Sequence, residues 1–150
     1  MIPLKTVLAF GCFDVLHFGH LQFLSKVREL GDTLIVVVAR DSTIREGKGR
    51  EPIFGENARL KMVSALRIVD KAMLGSEAGE SRYGIIKQVR PAVIALGYDQ
   101  AESESRLKEW LCANGLAEVG IVRITHVEDE EVFKSSKAMQ KIRDAITREI

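Results

Sequence analysis

The chain has 150 residues, enough for one domain with a sizeable core. Hydrophobic residues make up 46% and charged residues 29%, the balance of an ordinary globular protein. The formal net charge of +1 supplies no basic field for nucleic acid, and no apolar stretch approaches the roughly 20 residues of a membrane span.

Residues 1–5 lack the layout of a signal peptide, so a cytoplasmic location is expected. Residues 6–10 form a short apolar run that reads as a buried strand. The spacing of Leu21, Leu24, Val27 and Leu30 predicts a helix over 19–30, with Gly31 as its C-cap. Residues 33–39 carry Leu34-Ile35-Val36-Val37-Val38, a continuous run that suits a strand buried on both faces. Residues 41–56 read as one long irregular stretch, and such loops inside compact domains are typically functional or mobile. A helix is expected over 57–66 and a short strand over 71–74. Residues 83–89 form a short helix that stops before Arg90-Pro91, and the next strand covers 92–96. Residues 103–114 read as a helix ended by Gly115, followed by a strand over 120–125. A last helix over 135–148 sets Met139, Ile142 and Ile146 on one face. Strands alternating with helices imply parallel pairing. The expected fold is α/β, a Rossmann-like doubly wound sheet of about five parallel strands in a single domain spanning 1–150. Cys12 and Cys112 read as small, reduced, buried residues, and no Cys-x-x-Cys pair suggests zinc.

The segment Gly11-Cys12-Phe13-Asp14-Val15-Leu16-His17-Phe18-Gly19-His20 carries the chemistry. It lies where the first strand hands over to the first helix, the place where open α/β sheets bind ligands. Two imidazoles one helical turn apart, beside free helix N–H groups, suit a phosphate. In nucleotidyl transfer the attacked phosphorus gathers negative charge on its equatorial oxygens, and preorganised donors there lower the barrier. Gly19 between the histidines lets backbone approach such a ligand.

The run resembles the HxGH signature of the nucleotidyltransferase superfamily, in the cytidylyltransferase-like branch written GTFDxxHxGH. Cys12 stands where that branch has threonine. The similarity continues through residues 30–41, Gly47-Lys48-Gly49-Arg50-Glu51-Pro52-Ile53, Glu56-Asn57-Ala58-Arg59, Val69-Asp70-Lys71 and Gly97-Tyr98-Asp99-Gln100. That pattern is similar to the archaeal-type FAD synthetases, which are FMN adenylyltransferases. The resemblance implies transfer of AMP from ATP to FMN, giving FAD and pyrophosphate, with Mg²⁺ or another divalent cation. The alternative is a CTP-dependent cytidylyltransferase acting on glycerol 3-phosphate or a similar alcohol phosphate. A non-catalytic nucleotide-binding protein is the reading from another class. The resemblance also implies small-molecule partners only, without nucleic acid or membrane, and is compatible with a homodimer.

It assigns triphosphate contacts to His17 and His20, with Cys12, Phe13, Asp14 and Gly19 in the nucleotide-binding turn. Asp14 is expected to shape that turn and to meet ligand or metal, and no residue is assigned as a metal ligand. Lys48 and Arg50 read either as a mobile cationic clamp on the departing phosphates or as a solvated basic loop. Arg59 opens a helix, where the dipole disfavours a cation, and this conflict points to a task such as ligand contact. If the sheet order reverses between the first and fourth strands, Gly97 and Asp99 face the histidines, and Asp99 is placed to bond ribose or base. Arg123, inside a strand, needs a partner. Arg123, Thr125, Ser135 and Ser136 are implied nucleotide-binding residues, with pure helix capping as the plainer reading of the serines. The acidic run of residues 127–131 and His126 read as ordinary solvated groups. Phe54, Tyr98 and Phe133 are candidates for stacking on a flavin ring or for plain packing.

Overall fold

The computed structural model describes residues 2–77, 79–125 and 135–149. Five strands, β1 (Thr6–Gly11), β2 (Thr33–Val38), β3 (Lys71–Leu74), β4 (Val93–Gly97) and β5 (Gly120–Ile124), form one sheet in the order β3-β2-β1-β4-β5. Every neighbouring pair is parallel, and β1 pairs with β2 from Thr6↔Thr33 to Gly11↔Val38. The helices are α1 (Phe18–Arg28), α2 (Asp41–Lys48), α3 (Glu56–Ser64), α4 (Gly84–Val89), α5 (Glu104–Ala113) and α6 (Ser135–Glu149). The expected Rossmann-like doubly wound sheet is the fold found.

Strand side chains alternate between two faces, and the chain fills both. Val7 and Ala9 of β1, Leu34 and Val36 of β2 and Ala95 of β4 pack with Leu24 and Val27 of α1 and Val63 of α3. Leu8, Val37, Ile94 and Leu96 point to the other face, onto Ile85 and Ile86 of α4 and Leu107 and Leu111 of α5. Each of these central strands is buried on both sides, as its unbroken apolar run implies. Truncating fully buried Ile94 to alanine is therefore expected to cost about 2–5 kcal/mol.

Three expectations need correction. Residues 41–48 are helical rather than irregular, so the stretch 41–56 is a helix, α2, followed by a short turn. That helix buries only Ile44, and its sequence offers no apolar stripe to reveal it. Its ends nevertheless suit the helix dipole: Asp41 opens it, and Arg45 and Lys48 close it before Gly49 at φ 64°. Gly31 is not a C-cap. The cap is Glu29, and Gly31 is required because a Cβ there would lie 2.5 Å from the Lys5 carbonyl oxygen. Cys112 is exposed on α5, and Cys12 is partly buried; both are free thiols.

Candidate active site

The strand order reverses between β1 and β4, and open α/β sheets bind their ligands outside the carboxyl ends of the strands at such a point. Gln100 links the two lips. Its Nε2 donates to the Phe10 carbonyl at the end of β1 at 2.6 Å, and its Oε1 accepts from the Gly97 N–H at 3.1 Å. The Gly97–Gln100 turn thus lies beside the start of the histidine turn, as a reversal at this point predicts.

The two histidines cap the helix they begin. His17 is the N-cap of α1, and its Nδ1 accepts from the Gly19 N–H at 3.1 Å. His20 reaches back, and its Nδ1 accepts from the His17 N–H at 3.2 Å. This is the reciprocal arrangement of a capping box, built from two imidazoles. The rings stack with centroids 3.9 Å apart and 27° between planes. An Nδ1 that accepts cannot carry a proton, so each neutral ring holds its single N–H at Nε2. Burial, the neighbouring His17 and Lys48 push His20 down to about 3, against a smaller upward pull from Asp14. Burial lowers His17 as well. Two neutral, oriented N–H donors result.

The turn that presents them is strained and clamped. Phe13 and Val15 both adopt left-handed backbone, at φ 52° and 55°. For a β-branched residue such as Val15 this is a true outlier, costing on the order of 1–3 kcal/mol. Three groups hold the turn there. Phe13 is buried in the core, and a Cβ on Gly11 would lie 2.6 Å from its ring. The Asp14 carboxylate, 2% exposed, accepts from Arg50 Nη1 at 3.0 Å and from the N–H groups of Ile53 and Phe54 at 2.9 and 3.0 Å. Burial alone would raise the Asp14 carboxyl; those three donors outweigh it and hold the group below the usual carboxylate range.

The third group is Arg59, whose side chain is fully buried. Its Nη1 donates to the carbonyls of Cys12 and Ala39, both at 2.7 Å. Its Nε donates to the Phe54 carbonyl at 2.8 Å, and its Nη2 pairs with Asp41 at 2.7 Å. One guanidinium therefore ties the histidine turn to the residue after β2, the turn before α3 and the start of α2. The helix-dipole conflict did mark Arg59, but its task is to hold backbone and not to touch ligand. The Cys12 group used here is its carbonyl.

Lys48 is exposed in the last turn of α2, close enough to His20 to depress its pKa. Arg50 is pinned to Asp14, so it is a positioned cation and not part of a loose loop. On the other lip, Arg123 is committed to backbone. It donates to the carbonyls of Gly97, Gln100 and Glu102 at 2.7, 3.1 and 2.7 Å and pairs with Glu104 at 2.7 Å. It found the partner a strand cation needs, and it shapes the Gly97–Gln100 turn. Gly97 is buried, while Asp99 and Thr125 are exposed. Tyr98 packs against the core. Ser135 and Ser136 open α6. The expectations for His126, Phe133 and the acidic run fall outside the described residues. Sequence reasoning missed Gln100 as the tie between the lips, although the Gly-Tyr-Asp-Gln turn holding it was marked.

Among the described residues, no cluster of His, Cys, Asp and Glu could hold a metal ion. Asp14, the carboxylate nearest the histidines in sequence, is committed to Arg50 and two N–H groups.

The family model described as cytidylyltransferase-like matches residues 8–142. The chain belongs to this family. Within it, the chain is 45% identical over 140 residues to the FAD synthase of Thermoplasma volcanium, covering 93% of this chain and 95% of that one. The FAD synthase of Methanosarcina barkeri is 49% identical over 121 residues, covering 81% and 84%. A crystal structure from Thermoplasma volcanium, described as a lipopolysaccharide core biosynthesis protein, superposes with a TM-score of 0.78 at 44% identity, covering 84% of this chain and 100% of that one.

Proposed function

We propose that the chain is an FAD synthase: it transfers AMP from ATP to the phosphate of FMN, giving FAD and pyrophosphate. The similarity to FAD synthases over about nine-tenths of the chain carries the substrate assignment. The mutually capped histidine pair at the switch point supports the reaction class.

An FMN phosphate oxygen attacks the α-phosphorus of ATP. A new P–O bond forms there, the bond to the β-phosphate bridging oxygen breaks, and pyrophosphate leaves with that electron pair. The acceptor phosphate is already ionised near neutral pH, so no protein base is required. The Nε2–H groups of His17 and His20 donate to the phosphate oxygens that gain charge. Being neutral and prefixed by the helix cap, they need no proton uptake and no reorientation at the moment of reaction. Lys48 and Arg50 supply positive charge for the departing pyrophosphate. The Gly97–Gln100 turn with Asp99, and Thr125, Ser135 and Ser136, complete the nucleotide side. The described residues form no protein cage for Mg²⁺, which would enter as the counter-ion of the triphosphate substrate. We place the reaction in the cytoplasm, on small molecules alone; the family resemblance is compatible with a homodimer.

The test is to supply the full chain with Mg²⁺ and either ATP with FMN or CTP with glycerol 3-phosphate, and to follow pyrophosphate and FAD. Turnover with the first pair is expected. Turnover with the second pair alone would overturn the assignment.

A further inference from the structure

The reading as an FAD synthase leaves open how the acceptor's ring is held, and the inference that follows rests on that reading. Seven large apolar side chains stand exposed among the described residues. Ile2, Leu4, Ile142 and Ile146 belong to the terminal segments; Phe18, Ile53 and Phe54 belong to the site. Phe18 directly follows His17. Ile53 and Phe54 are bound through their N–H groups to Asp14. Asp14 is three residues from His17, so chain length alone keeps their Cα atoms within about 11 Å.

The 53–54 backbone is fixed from both sides. Its two N–H groups meet the buried Asp14 carboxylate, and the Phe54 carbonyl accepts from buried Arg59 at 2.8 Å. Gly55 then caps α3. The side chains nevertheless face water, Ile53 at 59% and Phe54 at 42% exposure. A rigid backbone displaying an aromatic side chain is suited to stacking, because little freedom is lost on binding. Arg50, on the same carboxylate, adds a cation beside it. Apolar platform, cation and imidazole pair together match a ligand with a planar fused ring at one end and a phosphate at the other.

We propose that Phe54, with Ile53 beside it, is the platform on which the flavin ring of FMN packs while its phosphate reaches the histidine pair. Steady-state kinetics of the full chain test this, with circular dichroism melting confirming that each variant is folded. Phe54→Ala raises the KM for FMN roughly ten- to hundredfold, the range for loss of one aromatic stacking partner, and leaves the KM for ATP within about twofold. Phe54→Trp keeps the KM for FMN and adds quenching of flavin fluorescence on binding. Ribitol 5-phosphate, which has the tether and phosphate without the ring, is used equally by wild type and Phe54→Ala. A rise in the ATP KM instead, or an unchanged FMN KM in a variant that makes FAD, overturns the platform alone. Absence of FAD from the wild type overturns the functional reading of the whole site.

Discussion

Each lip of the crevice is tied by one arginine, and the two ties use the same bonds in different surroundings. Arg59 donates to three backbone carbonyls and one carboxylate, and so does Arg123. The Arg59 side chain is fully buried; that of Arg123 is 21% exposed. Guanidinium suits both places, since its planar donors never deprotonate and reach several carbonyls at once. The difference in burial decides what happens on removal. Removing Arg59 empties a space closed to solvent, so its partners lose their donor outright, whereas the space left by Arg123 opens to water that bonds the same carbonyls. The β1 lip is thus a rigid, strained construction, and the β4 lip a more forgiving one.

The sharpest way to break this comparison is Arg59→Ala. It leaves Asp41 and three carbonyls without a donor, and a loss of about 3–5 kcal/mol is expected by urea unfolding, the scale for removing one partner of a buried pair. Arg123→Ala is expected to lose about 1–2 kcal/mol, because water replaces part of its bonding. Equal losses would remove the distinction between the lips.

His20→Ala acts on the β1 lip in a different way. Loss of one transition-state donor is expected to slow the chemical step about 10²–10³-fold, measured in single-turnover FAD formation. His17→Ala is expected to do the same and also to lose the α1 cap, costing about 1 kcal/mol of stability.

A smaller effect follows from pH. His20 titrates at about 3 when folded and near the ordinary 6.5 when unfolded. The unfolded chain therefore binds the proton more readily below pH 6.5, and stability falls as pH drops from there toward 3. His17, lowered by burial, acts in the same direction. A loss on the order of 1 kcal/mol between pH 6.5 and 5.5 is expected, since one pKa unit is worth about 1.4 kcal/mol. His20→Asn, whose side-chain oxygen can still accept from the His17 N–H, flattens that dependence. A melting curve with the same slope in both proteins would assign the acid sensitivity elsewhere.

Much of the β1 lip was legible in the sequence, because its chemistry is compressed into ten consecutive residues. The strands were legible too: runs such as Leu34 to Val38 allow few alternatives once both faces are buried. α2 escaped because one buried residue, Ile44, gives no periodicity. The left-handed Phe13 and Val15 left no trace, since their strain is repaid by Asp14 and Arg59, each distant in sequence from what it holds. The inward course of Arg59 and the link from Gln100 to Phe10 depend on tertiary contacts that a local pattern does not encode. The base and acceptor are not written in the histidine motif, and similarity to FAD synthases over 93% of the chain carries their assignment.

The proposed phosphate clamp consists of two neutral imidazoles, fixed by their own helix cap as Nε2–H donors. Nitrogen-15 NMR of the imidazole rings between pH 8 and 5 tests it most directly. At pH 8 both His17 and His20 are expected to show Nδ1 unprotonated and Nε2 protonated, and His20 is expected to be still neutral at pH 5. An imidazolium signal for His20 at pH 6.5, or a proton on Nδ1 of either ring at pH 8, would contradict it.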